Sequence, residues 1–118
     1  MRKIIPTIFA HNKKEFDLRF NKLIALKRDL HIDFMDGKFV KSKSINVNQV
    51  QNLRNYNMNF EAHLMTKNPG KYLSLLKKKG FDKIIFHYEA IQEDKIISLI
   101  KKIKSNNMKA IIALNPET

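Results

Sequence analysis

Apolar residues along the chain follow two alternating periodicities. Short β-branched or aromatic runs begin near Lys3, Leu30, Met58, Lys83 and Lys109, roughly 27 residues apart, and within them apolar and polar side chains alternate, the two-residue period of a strand. Between these runs the period lengthens to that of a helix. Phe16, Phe20, Leu23 and Ile24 share one face of a segment that Asn12 can cap. Asn46 can cap a shorter helix carrying Val47, Val50 and Leu53. Asn68-Pro69 supplies a cap followed by proline at the first helical position, and Gly80 can close that helix after Tyr72, Leu75 and Leu76. Ile96, Ile97, Ile100 and Ile103 predict a fourth helix, ending around Asn106-Asn107. A strand–helix unit repeated four times and followed by a fifth strand predicts a parallel α/β sheet with crossover helices, in a single domain over residues 1–118.

The two faces of the strands separate the parallel architectures. Leu30, Ile32 and Phe34 oppose His31, Asp33 and Met35; Phe60, Ala62 and Leu64 oppose Glu61, His63 and Met65; Ile84, Phe86 and Tyr88 oppose Ile85, His87 and Glu89. One face is uniformly apolar and the other turns polar toward the carboxyl end of each strand. An open doubly wound sheet, covered by helices on both sides, would be apolar on both. The pattern predicts a (β/α) barrel of the TIM class, of which this chain covers about strands 1–5, with its polar groups gathered at the mouth.

Three of those polar groups form a candidate metal site. His31 and Asp33 leave the same face of one strand, and His63 occupies a matching position on the next, ~4.8 Å away in a parallel sheet. Two imidazoles and a carboxylate suit a divalent metal such as Zn, Fe, Mn or Co. Spacing alone leaves open a hydrogen-bonded structural His-Asp pair with a separate core histidine. His87 and Glu89 point to the same mouth and are expected to support the ligands rather than hold the ion. Asp36-Gly37 reads as a strand-ending turn, with Asp36 orienting the loop or a ligand.

Composition changes this picture little. The 118 residues include 23 Lys+Arg against 11 Asp+Glu, a net charge of +12. Lys supplies 19 of the cations, and the densest runs, Lys77-Lys78-Lys79 and Lys101-Lys102-Ile103-Lys104, fall near predicted helix ends, where they complement the helix dipole. Nucleic acid is therefore not expected as a partner, since base readers favour the bidentate fork of Arg. The absence of Cys excludes disulfides, thiolate metal sites and cysteine nucleophiles. No apolar run approaches the ~20 residues of a membrane span, and Met1–Pro6 lacks a signal-peptide apolar region, so a cytoplasmic protein with no membrane partner is expected.

The longer motifs resemble a family. His31-Ile32-Asp33-Phe34-Met35-Asp36-Gly37, followed by Phe39-Val40, is similar to a segment of the ribulose-phosphate 3-epimerases, and so is Glu61-Ala62-His63-Leu64-Met65 followed by Asn68-Pro69 and Tyr72. Ile5-Pro6-Thr7-Ile8, His87-Tyr88-Glu89-Ala90 and Leu114-Asn115-Pro116-Glu117-Thr118 match in the same order. The related allulose-6-phosphate 3-epimerases share most of these motifs. The resemblance implies a TIM barrel that interconverts ribulose 5-phosphate and xylulose 5-phosphate through a 2,3-enediolate. It implies that His31, Asp33 and His63 hold a divalent metal, that Asp33 is also one of two acid/base carboxylates, and that Thr7, His63, Met35 and Met65 contact the substrate. The sequence departs from the family at Lys41-Ser42, where Pro-Asn is usual, and at Ala10-His11-Asn12, where Ser-Ala-Asp is usual.

Length is the largest departure. Eight units at this period need roughly 215 residues. The resemblance places a second acid/base aspartate and the phosphate-binding glycine loops in the half not represented here. The chain is therefore expected to be inactive unless that half is supplied. It reads as a fragment, as one part of a split enzyme completed by a second chain, or as a half-barrel that self-associates as an assembly module. Unpaired sheet edges favour a homo-oligomer or a completing chain over a monomer.

Overall fold

A computed structural model of the chain describes residues 4–117. Five strands, β1 (Thr7–Ile8), β2 (Leu30–Met35), β3 (Phe60–Met65), β4 (Lys83–His87) and β5 (Lys109–Ala113), alternate with three helices, α1 (Lys13–Ile24), α2 (Leu73–Lys79) and α3 (Ile96–Ser105). All five strands are parallel and stand in the sheet in their chain order, β1-β2-β3-β4-β5. A doubly wound sheet reverses direction partway; this one does not, and its architecture is that of a half-barrel in the TIM class. The start expected near Lys3 for the first strand lies outside the described residues.

The apolar face of the sheet holds the core. Ile8, Leu30, Ile32, Phe34, Phe60, Ala62, Leu64, Ile84 and Phe86 are buried beneath Phe16 and Phe20 of α1, Leu73 and Leu76 of α2, and Ile96, Leu99 and Ile103 of α3. Asn12 caps α1 as expected, its side chain accepting from the Glu15 N–H at 2.9 Å. Gly80 ends α2 at φ 104°, and the Phe81 N–H closes the turn on the Leu76 carbonyl at 3.1 Å. The lysine runs fall in the last turns of α2 and α3. Among the described residues no helix is long and apolar enough to cross a membrane.

Four local expectations are corrected. The segment after Asn46 makes only a three-residue 3-10 turn, Val47–Gln49, because Val50 is extended (ψ 135°). Two β-branched valines favour strand dihedrals, and although the Gln49 side chain accepts the Asn46 N–H at 2.8 Å as in a capping box, the helix it could start is not continued. Val47, Val50 and Leu53 are nevertheless buried, pinned by the Leu53 N–H on the Lys79 carbonyl at 2.7 Å. Asn68 makes no side-chain cap, and its segment begins as a 3-10 turn, Pro69–Tyr72, before α2. On α3 the buried stripe is Ile96, Leu99 and Ile103, while Ile97 is 66 % exposed. Finally, β4 stops at His87, so Tyr88 and Glu89 lie in a 3-10 turn, Tyr88–Ala90.

At the end of the sheet β5 is covered only in part, with Ala110 packed against the core. Ile111, in register with Ile85, and Ile112, in register with Phe86, are 41 % and 42 % exposed. They stand on opposite faces of the strand, so neither face is covered as the preceding strands are.

Asp36 fixes the loop at the carboxyl end of β2. Its carboxylate accepts the N–H groups of Lys38 and Phe39, both at 2.8 Å, and of Lys67 at 2.9 Å. Partial burial pushes its pKa up, but these three donors outweigh that and hold it below the ordinary carboxylate value. A depressed carboxylate stabilises the fold above its unfolded-state pKa, and that contribution disappears as pH falls through the lower folded value. Asp36→Asn is expected to cost about 1 kcal/mol at neutral pH and to lose less stability than the parent between neutral pH and pH 3. Urea titrations at both pH values check this, and identical pH dependence in the two proteins would refute it.

Candidate metal centre on the inner face

The face opposite the core is built in layers by the parallel register. Thr7, His31 and Glu61 stand side by side across β1, β2 and β3; Asp33 pairs with His63 one layer further along, and Met35 pairs with Met65 beyond them. Because side chains alternate, all seven leave the same side of the sheet. His31, Asp33 and His63 are brought together as the sequence predicts, each offering one ligand atom within 4.8 Å of the others. His31 Nε2 lies 3.0 Å from Asp33 Oδ1, and His63 Nδ1 lies 3.2 Å from the same oxygen. Thr7 is exposed beside His31, Met35 is half-buried, and Met65 is buried at the edge of the site.

Glu61 was not singled out from the sequence, and it completes the arrangement. Its Oε1 lies 2.6 Å from His31 Nδ1, and its Oε2 lies 3.5 Å from Lys83 Nζ. With its Nδ1–H donated to Glu61, neutral His31 must present a bare Nε2 toward Asp33. The signal was available: Glu61 lies two residues before His63, on the same face, in the position paired with His31.

The electrostatics follow from this crowding. Burial disfavours the charged form of His31, but the hydrogen bonds and charges of Asp33 and Glu61 outweigh it and raise its pKa. Burial likewise pushes Asp33 upward, and the two imidazoles overcome it, lowering Asp33 to about 2. Asp33 is therefore ionised across the neutral range. On the far side, burial and the neighbouring charge of His63 lower the pKa of His87, against an opposing pull from Glu89.

Comparison with known proteins places the chain among relatives. Residues 3–118 match the model of the ribulose-phosphate 3 epimerase family. The chain belongs to the ribulose-phosphate 3-epimerase family. It is 32 % identical over 118 residues to the cytoplasmic isoform of ribulose-phosphate 3-epimerase from Oryza sativa subsp. japonica, covering 98 % of this chain and 51 % of that protein. With the Bacillus subtilis (strain 168) ribulose-phosphate 3-epimerase it shares 34 % identity over 123 residues, covering 100 % of this chain and 54 % of that protein. The Buchnera aphidicola protein of the same name is 32 % identical over 119 residues. The chain spans about half the length of these curated relatives.

The donor set fits a divalent metal on its own chemistry. Two imidazole nitrogens and a carboxylate oxygen lie within 4.8 Å of one another, and the outer nitrogen of His31 is held by a carboxylate, as metal-ligating histidines usually are.

Proposed function

We propose that this chain is the metal-holding half of a sugar-phosphate 3-epimerase that interconverts ribulose 5-phosphate and xylulose 5-phosphate, with residues 1–118 forming the first part of one barrel domain. The observation that carries the reading is the convergence of His31 Nε2 and His63 Nδ1 on Asp33 Oδ1 at the carboxyl ends of two adjacent parallel strands, where barrel enzymes keep their chemistry. A divalent ion of Zn, Fe, Mn or Co held by His31, Asp33 and His63 would lower the cost of the negative charge that develops when the C3 proton leaves.

The chain's own residues do the rest of this half. Asp33, ionised at neutral pH, exchanges a proton with C3 from one side of the sugar. Met35 and Met65 line the mouth with polarizable side chains that neither donate nor take a proton. Thr7, exposed beside His31, offers its hydroxyl to the substrate. The acid/base group for the opposite side and the phosphate contacts come from a further segment or chain. The predicted assay is exchange of the C3 proton of ribulose 5-phosphate in D2O, followed by NMR, with zinc and the completed barrel. Exchange should vanish with Asp33→Asn and with chelator, whereas exchange unchanged by both would overturn the reading. Faster exchange with allulose 6-phosphate would reassign the sugar.

The partly covered β5 strand supports association. An edge strand with apolar side chains exposed on both faces pairs readily with another chain. Closure by a completing chain, or by a second copy in a self-associating module, is therefore expected. Light scattering on the purified chain should give a mass above that of a single chain, and a stable monomer at high concentration would refute this. A cytoplasmic location accords with this reading of a sugar-phosphate enzyme.

A further inference from the structure

The flank of α3 beside the open edge of the sheet carries a pattern that is its own complement. Asp94, in the 3-10 turn Glu93–Lys95 that opens α3, stands three residues before Ile97, and Lys101 and Lys104 follow at helical spacing. The four therefore share one stripe. All four are exposed, and none of the three charges has an ion-pair partner among the described residues. Leu99, on the other flank of the helix, packs toward Gly70 in the turn before α2. The stripe thus faces away from α2, toward the side on which the sheet ends at β5. Along α3 it runs acidic, apolar, basic; turned end for end it runs basic, apolar, acidic. A net charge of +12 ordinarily keeps two copies apart, but the charges that would meet here are opposite.

We infer that two copies of this chain pair about a twofold axis that joins their β5 edges antiparallel and lays their α3 stripes side by side. One axis satisfies both elements. Leu99 lies six residues before the end of α3 at Ser105, and Ile111 lies three residues beyond Met108. At ~1.5 Å per helical residue and ~3.3 Å per strand residue these are about 9 Å and about 10 Å from the turn, so the middles of stripe and strand stand at one height. An axis there sets Asp94 against the partner's Lys104, twice over, and lays the stem of Lys101 on the partner's Ile97. In the strands Lys109 falls opposite the partner's Ala113, and Ala110 opposite the partner's Ile112, so no like charges face directly. Edges ~4.8 Å apart bring the two helices, each a crossover from β4 to β5, near the 8–10 Å at which helices pack. The pairing rests on the association read above from β5 and selects the second copy as occupant. A completing chain needs the same edge, so the two forms exclude each other.

Sedimentation velocity of the purified chain over a concentration series reads the pairing. The expected species are one chain and two in exchange; species larger than two chains would overturn the closed twofold. Asp94→Lys raises the net charge and Lys104→Glu lowers it, yet each should weaken the dimer about tenfold, because each turns two exposed attractions into repulsions. The double variant Asp94→Lys/Lys104→Glu restores both pairs with their signs exchanged and should dimerise as the parent does. Ile111→Lys sets two like charges face to face on the axis and should leave a monomer, with circular dichroism showing the fold intact. Opposite shifts from the two single charge variants, as net charge alone would give, or a double variant no better than either single one, would overturn the stripe pairing and leave association at β5 standing. A parent chain that stays monomeric at every concentration would overturn both.

Discussion

Alanine at His31 or His63 is expected to lower zinc affinity by more than the roughly 10- to 100-fold that loss of an outer partner costs, because each change deletes one of the three ligand atoms. The two variants should differ in what else they do. His31 stands between two carboxylates, 3.0 Å from Asp33 and 2.6 Å from Glu61. Without it these like charges face each other on a half-buried surface, so His31→Ala should also destabilise the metal-free fold. His63→Ala removes a partner of one carboxylate and leaves the His31 bridge in place, so its stability loss should be the smaller. Titration calorimetry measures the first effect and thermal melting the second. The pH dependence has a definite sign: the raised pKa of His31 means a proton competes for its Nε2, so zinc affinity falls and proton release on binding grows as pH is lowered toward that value. Zinc binding by either variant equal to that of the parent would contradict the ligand assignment.

The largest stability effect is expected at Phe20. It is 1 % exposed on the buried face of α1 and touches three other rings, with centroids at 5.7 Å to Phe16, 5.3 Å to Tyr56 and 6.4 Å to Phe60. Phe20→Ala removes that volume from the junction of α1, the sheet and the loop before β3, where the surrounding rings are too rigid to fill it. The expected cost is about 3–5 kcal/mol, a large part of the ~5–15 kcal/mol that holds a domain folded. Phe20→Leu, which keeps most of the volume, should cost less than half as much. Chemical denaturation distinguishes the two. Equal stability of Phe20→Ala and parent would show that α1 contributes little to the core.

Much of this fold was legible because sheet geometry admits few alternatives. The two-residue alternation in 30–35, 60–65 and 83–87 fixes which side chains share a face, and the parallel order follows from the long crossing segments between them, whether helical as before β4 or not as between β2 and β3. That is why the sequence alone makes His31, Asp33 and His63 neighbours on one face. Capping at Asn12 and the stop at Gly80 were legible for a similar reason, since each depends on one residue and its neighbours. Residues 46–53 were misread because their apolar spacing fits a helix as well as a buried crossing segment. The extended backbone at Val50, rather than spacing, decides the outcome. Ile97 looked like part of a stripe, yet four isoleucines on one short helix leave its rotation undetermined until Leu99 is seen to face the core. Glu61 escaped notice because its role depends on strand register: it is thirty residues from His31, and only the pairing of β2 with β3 makes them neighbours.

The central claim is that a divalent cation sits on the inner face between β2 and β3. Anomalous diffraction at the zinc edge, from crystals of the protein grown with Zn2+, tests it most directly. The predicted result is a peak about 2.0–2.2 Å from His31 Nε2, an Asp33 carboxylate oxygen and His63 Nδ1. Zinc found only at other donors, such as the exposed His11–Glu15 pair at the start of α1, with the inner face empty, would contradict it.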